Sequence, residues 1–291
     1  MDALLQLLVN GVALGSVYSL VALGFIIVYS ATSVVNFAAG QFVMLSAFFG
    51  VMTILNLKLA PALAYPLAIA GMAVFGVIFY VAIHLPLQKR PVVSVIIGTV
   101  AAGIVMQNAA LLIWGPLPSR IPSLFGDANV SIGSSVVTVH ALATIGITLV
   151  LIVLLYLLLY RTSAGRAMRA IAQDVEAARM MGLPVTLWLG FAWILAAVFS
   201  AFAGLLVAPM WFADVNMGDP IALKAFAATV IGGFGSVPGA IAGGLLVGLV
   251  EILGASYISS TYKDLLSFGF MILFLLVRPQ GIFGERISER G

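Results

Sequence analysis

The 291 residues are 63% hydrophobic and 8% charged, with a mean hydropathy of +1.21, whereas soluble domains carry about 25% charged residues; a water-soluble globule is excluded. Thirteen Lys and Arg against ten Asp and Glu leave a net charge of +3, spread among loops rather than gathered into a nucleic-acid-binding face, and the lack of cysteine excludes disulfides and thiolate metal sites. At roughly 20 apolar residues per crossing of a hydrocarbon layer about 30 Å thick, the length allows about 8 to 9 transmembrane helices, some broken by Gly or Pro, in one all-α polytopic membrane domain over 1–291.

The start, Met-Asp-Ala-Leu-Leu, lacks the basic segment of a cleaved signal peptide, so the first apolar run, 5–29, reads as a retained span. Further runs occupy 41–57, 62–84, 94–114, 140–160 and 187–212, followed by a Gly-interrupted region over 222–258 and a last run over 264–277. Lipid offers no partner to backbone N–H and C=O groups, so each run is expected to be helical. Lys89, Arg90, Arg161, Arg166, Arg169 and Arg179 fall on one side with the tail's Arg278, Arg286 and Arg290, while Lys58, Arg120, Lys224 and Lys263 fall on or near the other. The positive-inside rule makes the first side cytoplasmic, with the N-terminus outside and the C-terminus inside. That parity needs an odd number of crossings between 213 and 278. Three are expected, with 222–234 as a short or broken one; a single crossing is the alternative if 222–258 hairpins back.

Asn36 and Gln41 flank Gly40 in an uncharged polar break, and Gln107 with Asn108 interrupts the fourth run. The outer connection, 115–139, carries Pro116, Pro118 and Pro122, which bar a helix at its start, then β-branched residues around Gly133 that suit a small hairpin. It serves either as a docking surface for an extracytoplasmic protein or as a plain connector. The connection 161–187 is the long polar stretch with helical character. Met168, Ile171, Ala172, Val175 and Ala178 recur there at three- and four-residue spacing, with Arg166, Arg169, Gln173 and Glu176 on other faces. The pattern predicts one amphipathic helix of about 16 residues, about 24 Å long, with Gly182 at a left-handed cap and Pro184 barring continuation. Its narrow, Ala-rich stripe suits docking into a protein cleft; lying on lipid headgroups is the alternative.

Gly232, Gly233, Gly235 and Ser236 open a stretch holding seven glycines between 232 and 248, with Pro238 among them. Such density reflects close helix packing or an unwound turn beside a transport pathway. Glu251 is the acid plainly inside an apolar run, and acids there mark functional or interface positions: a hydrogen bond across helices, gating or subunit pairing. His84 and His140 stand alone at span ends, where an amphipathic ring commonly sits. No G-x-x-x-x-G-K-[ST] and no H-E-x-x-H occurs, and Gly254-Ala255-Ser256 has no histidine at matching depth. The chain is expected to be no enzyme and to bind no metal, nucleotide or other cofactor itself.

Four stretches, in order, resemble the branched-chain amino acid permease family of ATP-binding-cassette importers. They are VVNFAAGQFVML (Val34 to Leu45), GRAMRAIAQDVEAARMMGLP (Gly165 to Pro184), VIGGFGSVPGAIAGGLLVGLVE (Val230 to Glu251) and RPQGIFG (Arg278 to Gly284). The likeness spans essentially the whole chain. It implies a permease subunit that moves branched-chain amino acids or related small solutes across a bacterial-type plasma membrane. Its implied partners are a second permease subunit, related or a copy of itself, two cytoplasmic ATPase subunits that hold the ATP, and an extracytoplasmic solute-binding protein. The 161–187 helix then fits a cleft on the ATPase, with Gly165, Arg166, Arg169, Asp174, Ala177 and Gly182 at the contact positions. Asn36, Gly40, Gln41, Gln107, Asn108, Gly232, Gly233, Gly235, Ser236 and Glu251 are the pathway or gating candidates. Relatives of this family carry amides and urea, which leaves the cargo open. The rival reading, an ion-coupled secondary transporter acting alone, needs intramembrane charge, and Glu251 is the residue that qualifies.

Overall fold

The computed structural model describes residues 2–126, 128–132 and 135–284; Gly133, Arg286 and Arg290 lie outside the described residues. The apolar runs form helices as lipid demands. In order these are α1 (Asp2–Thr32), α2 (Ala39–Val51, extended by a π turn over Met52–Asn56), α3 (Pro61–Phe79, continuing through a π turn at Tyr80–His84 into the short α4, Leu85–Leu87), α5 (Val92–Trp114) and α6 (Val139–Arg161). Then follow α7 (Ser163–Gln173), α8 (Val175–Met180), α9 (Val185–Trp211), α10 (Gly218–Gly232), α11 (Val237–Tyr257) and α12 (Lys263–Val277). Between α5 and α6 the β-branched run makes the expected hairpin, β1 (Asn129–Ile132) against β2 (Ser135–Thr138), with Val130 opposite Val137.

Seven of these helices are long and apolar enough to cross a membrane. The other two in the bundle, α10 and α12, have 15 residues each and reach only about 22 Å, short of the hydrocarbon thickness. The reason for α10 is that it starts inside. After α9 the chain reverses at Phe212, whose φ is +70°, and runs back into the bundle with Ala213, Val215 and Met217 buried. Three helices therefore occupy 213–278, and the segment expected as a broken crossing is this short helix.

Helix α1 is the centre, with 94% of its apolar window buried, while α5 and α6, at 17%, form the rim. Small residues set the central contacts: a Cβ on Gly15 would strike Gly244 and Leu245 backbone, and one on Gly248 would strike Gly15. Ser19 Oγ adds a hydrogen bond to the Ile241 carbonyl at 3.0 Å. With no hydrophobic drive between helices in lipid, this close backbone approach is what holds α1 to α11.

The bundle has two distinct ends. At the hairpin end, Ser119 pairs with Ala213, and His140 bonds Ser123 Oγ at 2.8 Å and the Leu206 carbonyl at 2.7 Å, so its ring ties the 115–139 connection to α9. At the other end lie α7 and α8. There Gly233 (φ +99°) and Gly235 (φ +86°) form a tight turn, and Ser236 Oγ accepts from the Gly239 amide at 3.2 Å to cap α11. The glycine-rich stretch divides in two: a turn at 233–236 and close helix packing from Gly239 onward. The RPQGIFG tail seals that turn. Ile282 N–H donates to the Ile231 carbonyl at 2.8 Å and Phe283 N–H to Gly232 at 3.0 Å, satisfying acceptors that the end of α10 leaves free.

Candidate functional site

The polar stretch at 161–187 is not one helix. Asp174 leaves the helical region at φ −157° and accepts with Oδ1 from the Glu176 and Ala177 amides at 2.9 and 3.0 Å, the N-cap arrangement. The single helix expected from the spacing is thus an elbow, α7 then α8, with Asp174 as its joint. The C-terminal expectation fits: Gly182 takes φ +80°, its amide bonds Arg179 at 3.0 Å and Leu183 bonds Ala178 at 3.1 Å, a Schellman closure.

The direction of the apolar stripe also differs from the docking expectation. Met168, Ile171 and Ala178 are buried within this chain's own core, because packing against α6, α1 and α9 is the nearest way to remove them from water. What faces outward is Arg166, Arg169, Gln173, Glu176 and Arg179, with Met180 and Met181 at 84% and 83% exposure at the tip. Arg169 stacks its guanidinium 4.9 Å from the Tyr160 ring centroid. Gly165 is buried, and a Cβ there would strike the Leu158 and Leu159 carbonyls; it fits the elbow to α6 rather than presenting a contact surface. Ala177 is half-buried behind the joint.

Midway along the bundle a second site assembles. Asn36 is buried and its Oδ1 accepts from the Ala38 amide at 3.0 Å, so it builds the break between α1 and α2. Phe37 N–H donates to Thr99 Oγ1 at 3.3 Å, pinning that break to α5. Helix α2 then starts against Gly103, the middle residue of α5. Helix α10 starts at the same level: Gly40 and Gly218 touch, and a Cβ on either would meet the other's carbonyl. This approach places Gln41 Nε2 2.6 Å from Asp219 Oδ1, to which it donates. Gln107 Nε2 reaches the Val215 carbonyl and Asn216 Oδ1, both at 3.1 Å. Between them opens a cavity of about 280 Å³ walled by Phe25, Phe37, Val100, Ile104, Leu223 and Phe226.

Of the pathway candidates, Gly40, Gln41 and Gln107 therefore come together. Asn108 is exposed one residue on, bonded back to the Ile104 carbonyl at 2.8 Å. Gly232, Gly233, Gly235 and Ser236 do not join them; they form the turn at the opposite end of α10. Asp219, which completes the cluster, is absent from the sequence reading because it falls in what looks like a connection between apolar runs. Its signal was Asp followed by Pro220, a pair favoured in the first turn of a helix.

Glu251 belongs to a third cluster. Lys224, expected near the outer surface, is instead 1% exposed and bonds Glu251 Oε1 at 2.5 Å and Asp264 at 2.7 Å. Tyr18 donates its hydroxyl to Glu251 Oε2 at 2.6 Å. The stem of Lys224 crosses apolar surface while its ammonium finds two carboxylates, the arrangement that makes a buried lysine tolerable. The acid is a cross-helix tie joining α1, α10 and α11.

Residues 7–275 match the family model described as "Branched-chain amino acid transport system / permease component". The chain belongs to that permease family. It is the membrane-spanning permease subunit of an ATP-binding-cassette importer, and all four quoted stretches meet in this one bundle. The permease is 32% identical to the high-affinity branched-chain amino acid transport system permease protein LivH of Escherichia coli, over 98% of this chain and 97% of that one. It is equally similar to BraD of Pseudomonas aeruginosa, with the same coverage. A probable LivH of Methanocaldococcus jannaschii is 30% identical over 91% of this chain and 88% of its own.

Proposed function

We propose that this permease imports branched-chain amino acids or related small solutes as one of a pair of permease subunits, this chain twice or with a related one. Two cytoplasmic ATPase subunits bind and hydrolyse the ATP, and an extracytoplasmic solute-binding protein delivers the cargo. The observation that carries the reading is the elbow: an exposed, basic knee whose apolar side is locked into the bundle, so that force applied to it is passed on rather than absorbed. Lys89, Arg90, Arg161, Arg166, Arg169, Arg179 and Arg278 gather at this end, supporting a cytoplasmic elbow and C-terminus and an outside N-terminus in a bacterial-type plasma membrane. The names of the relatives support the cargo class.

The route from elbow to cavity is short. Arg169 and Met168 of the elbow line one cavity with Gly235 and Val237 of the α10–α11 turn. From that turn α10 runs as a single rod to Asp219, so a push at the elbow reaches the mid-bundle site in one rigid step. Asp219, Asn216 and Asn108 are exposed there. A carboxylate facing lipid at that depth costs about 3 kcal/mol, so this polar strip faces the aqueous path between the two permeases. Glu251, the residue on which the ion-coupled reading rested, is engaged by Lys224.

Replacing Arg169 by Ala and Gly182 by Val in the reconstituted importer tests the elbow. Uptake is expected to fall while ATP hydrolysis persists and the permease stays in the membrane. Normal uptake in both variants refutes the coupling role.

A further inference from the structure

Resting on the importer reading, the geometry points to Asp219 as the residue that receives the ammonium group of a zwitterionic solute inside the permease, with Gln41 as its positioning partner. Three features of the cavity carry this. Its polar groups are one carboxylate and neutral amides: Asp219, Gln41 and Gln107 line it, and no Lys, Arg or His does. A site so composed attracts a cation and offers a carboxylate only neutral amide donors, so an anionic solute is disfavoured and a zwitterion fits with its amino end toward Asp219. Its remaining walls are aliphatic and aromatic, suited to an uncharged hydrocarbon side chain. Its size, about 280 Å³, lies just below the range of drug-sized ligand pockets, about 300 to 1,000 Å³, and is on the scale of one amino acid.

Gln41 fixes the carboxylate. Its amide nitrogen donates to Asp219 Oδ1 at 2.6 Å, and the side chain lies against Gly103, where a Cβ would sit 3.2 Å from its Oε1. The inference separates amino acids from neutral amides: a solute without an ammonium group has no use for Asp219.

The test is leucine uptake into proteoliposomes holding the complete importer. With the wild-type permease, ATP-dependent uptake is expected. Asp219→Asn is expected to lower it about tenfold or more, the scale of one charge-assisted hydrogen bond. Asp219→Glu keeps part of the uptake. Undiminished uptake by Asp219→Asn overturns the site and leaves the importer reading standing, whereas no ATP-dependent uptake by the wild type overturns the importer reading itself. Should Asp219→Asn lose ATP hydrolysis as well, Leu223→Cys, on the cavity wall with Asp219 intact, decides, since the chain has no other cysteine. The introduced thiol is expected to react with a charged, membrane-impermeant thiol reagent and to be shielded by leucine delivered with binding protein and ATP. An unreactive or unshielded thiol overturns the proposal.

Discussion

Replacing Lys224 by Met tests whether the buried cluster is a structural tie. Lys224 and Glu251 side chains are each 2% exposed and 2.5 Å apart. Removing one partner of such a pair costs about 3 to 5 kcal/mol because the other is left buried and unpaired. The lower figure applies here: Lys263 Nζ already lies 4.0 Å from Glu251 and is 42% exposed, and Tyr18 still donates to Oε2. Glu251→Met alone is milder, since Lys224 keeps Asp264 at 2.7 Å. In the double variant Lys224→Met, Glu251→Met no charge is stranded, and the residual loss is the orphaned Tyr18 hydroxyl, about 1 to 3 kcal/mol. The assay is the midpoint for loss of the monodisperse peak when the detergent-purified permease is heated. At about 2 to 4 °C per kcal/mol, Lys224→Met should lower it by about 6 to 12 °C, and the double variant should sit above Lys224→Met. A double variant that loses the sum of the two single losses refutes the tie.

Three further outcomes follow from the same contacts. Gly218→Ala puts a Cβ onto the Gly40 carbonyl, so it should cost several times the gain that alanine ordinarily brings to a helix, about 1 kcal/mol, and lower the melting midpoint; a raised midpoint refutes the close approach of α2 and α10. Asp174→Ala removes both cap bonds to α8, about 1 kcal/mol, and should speed amide exchange at Glu176 and Ala177, with unchanged exchange counting against the elbow joint. Deleting 278–291 strips the Ile231 and Gly232 carbonyls of their donors and should speed exchange across 229–236; protection equal to wild type refutes the sealing role of the tail.

The spans and the cap at Gly182 were legible because lipid and the left-handed cap each leave the sequence little choice. The elbow was not, since Asp174 fits the polar face of a continuous helix as well as it fits an N-cap, and periodicity does not register a change of axis. Nor does a stripe say whose surface it covers: Met168 and Ile171 read as a partner's anchor and turned out to be this bundle's own. Asp219 was passed over and Lys224 set near the outer surface for one shared reason. Hydropathy treats a charged residue before an apolar run as a connection, and only the buried return of 213–217 shows that the connection enters the bundle.

That return has a mechanical consequence. Helix α10 is fastened to α11 by Lys224 and Glu251, and at its far end by the tail's bonds to Ile231 and Gly232. Its start meets α2 through the Gln41–Asp219 bond and through the contact of Gly40 with Gly218 and Ala222. Breaking the first set strands buried charge, while breaking the second frees an amide and a carboxylate that water can satisfy. Under the proposed coupling, a force arriving at the α10–α11 turn moves α10 and α11 together with α1, which Tyr18 and the glycine contacts tie to them, and loads the joint at Gly40 and Gly218, where the cavity lies. This water-satisfiable joint and the proposed seat of the solute are the same place.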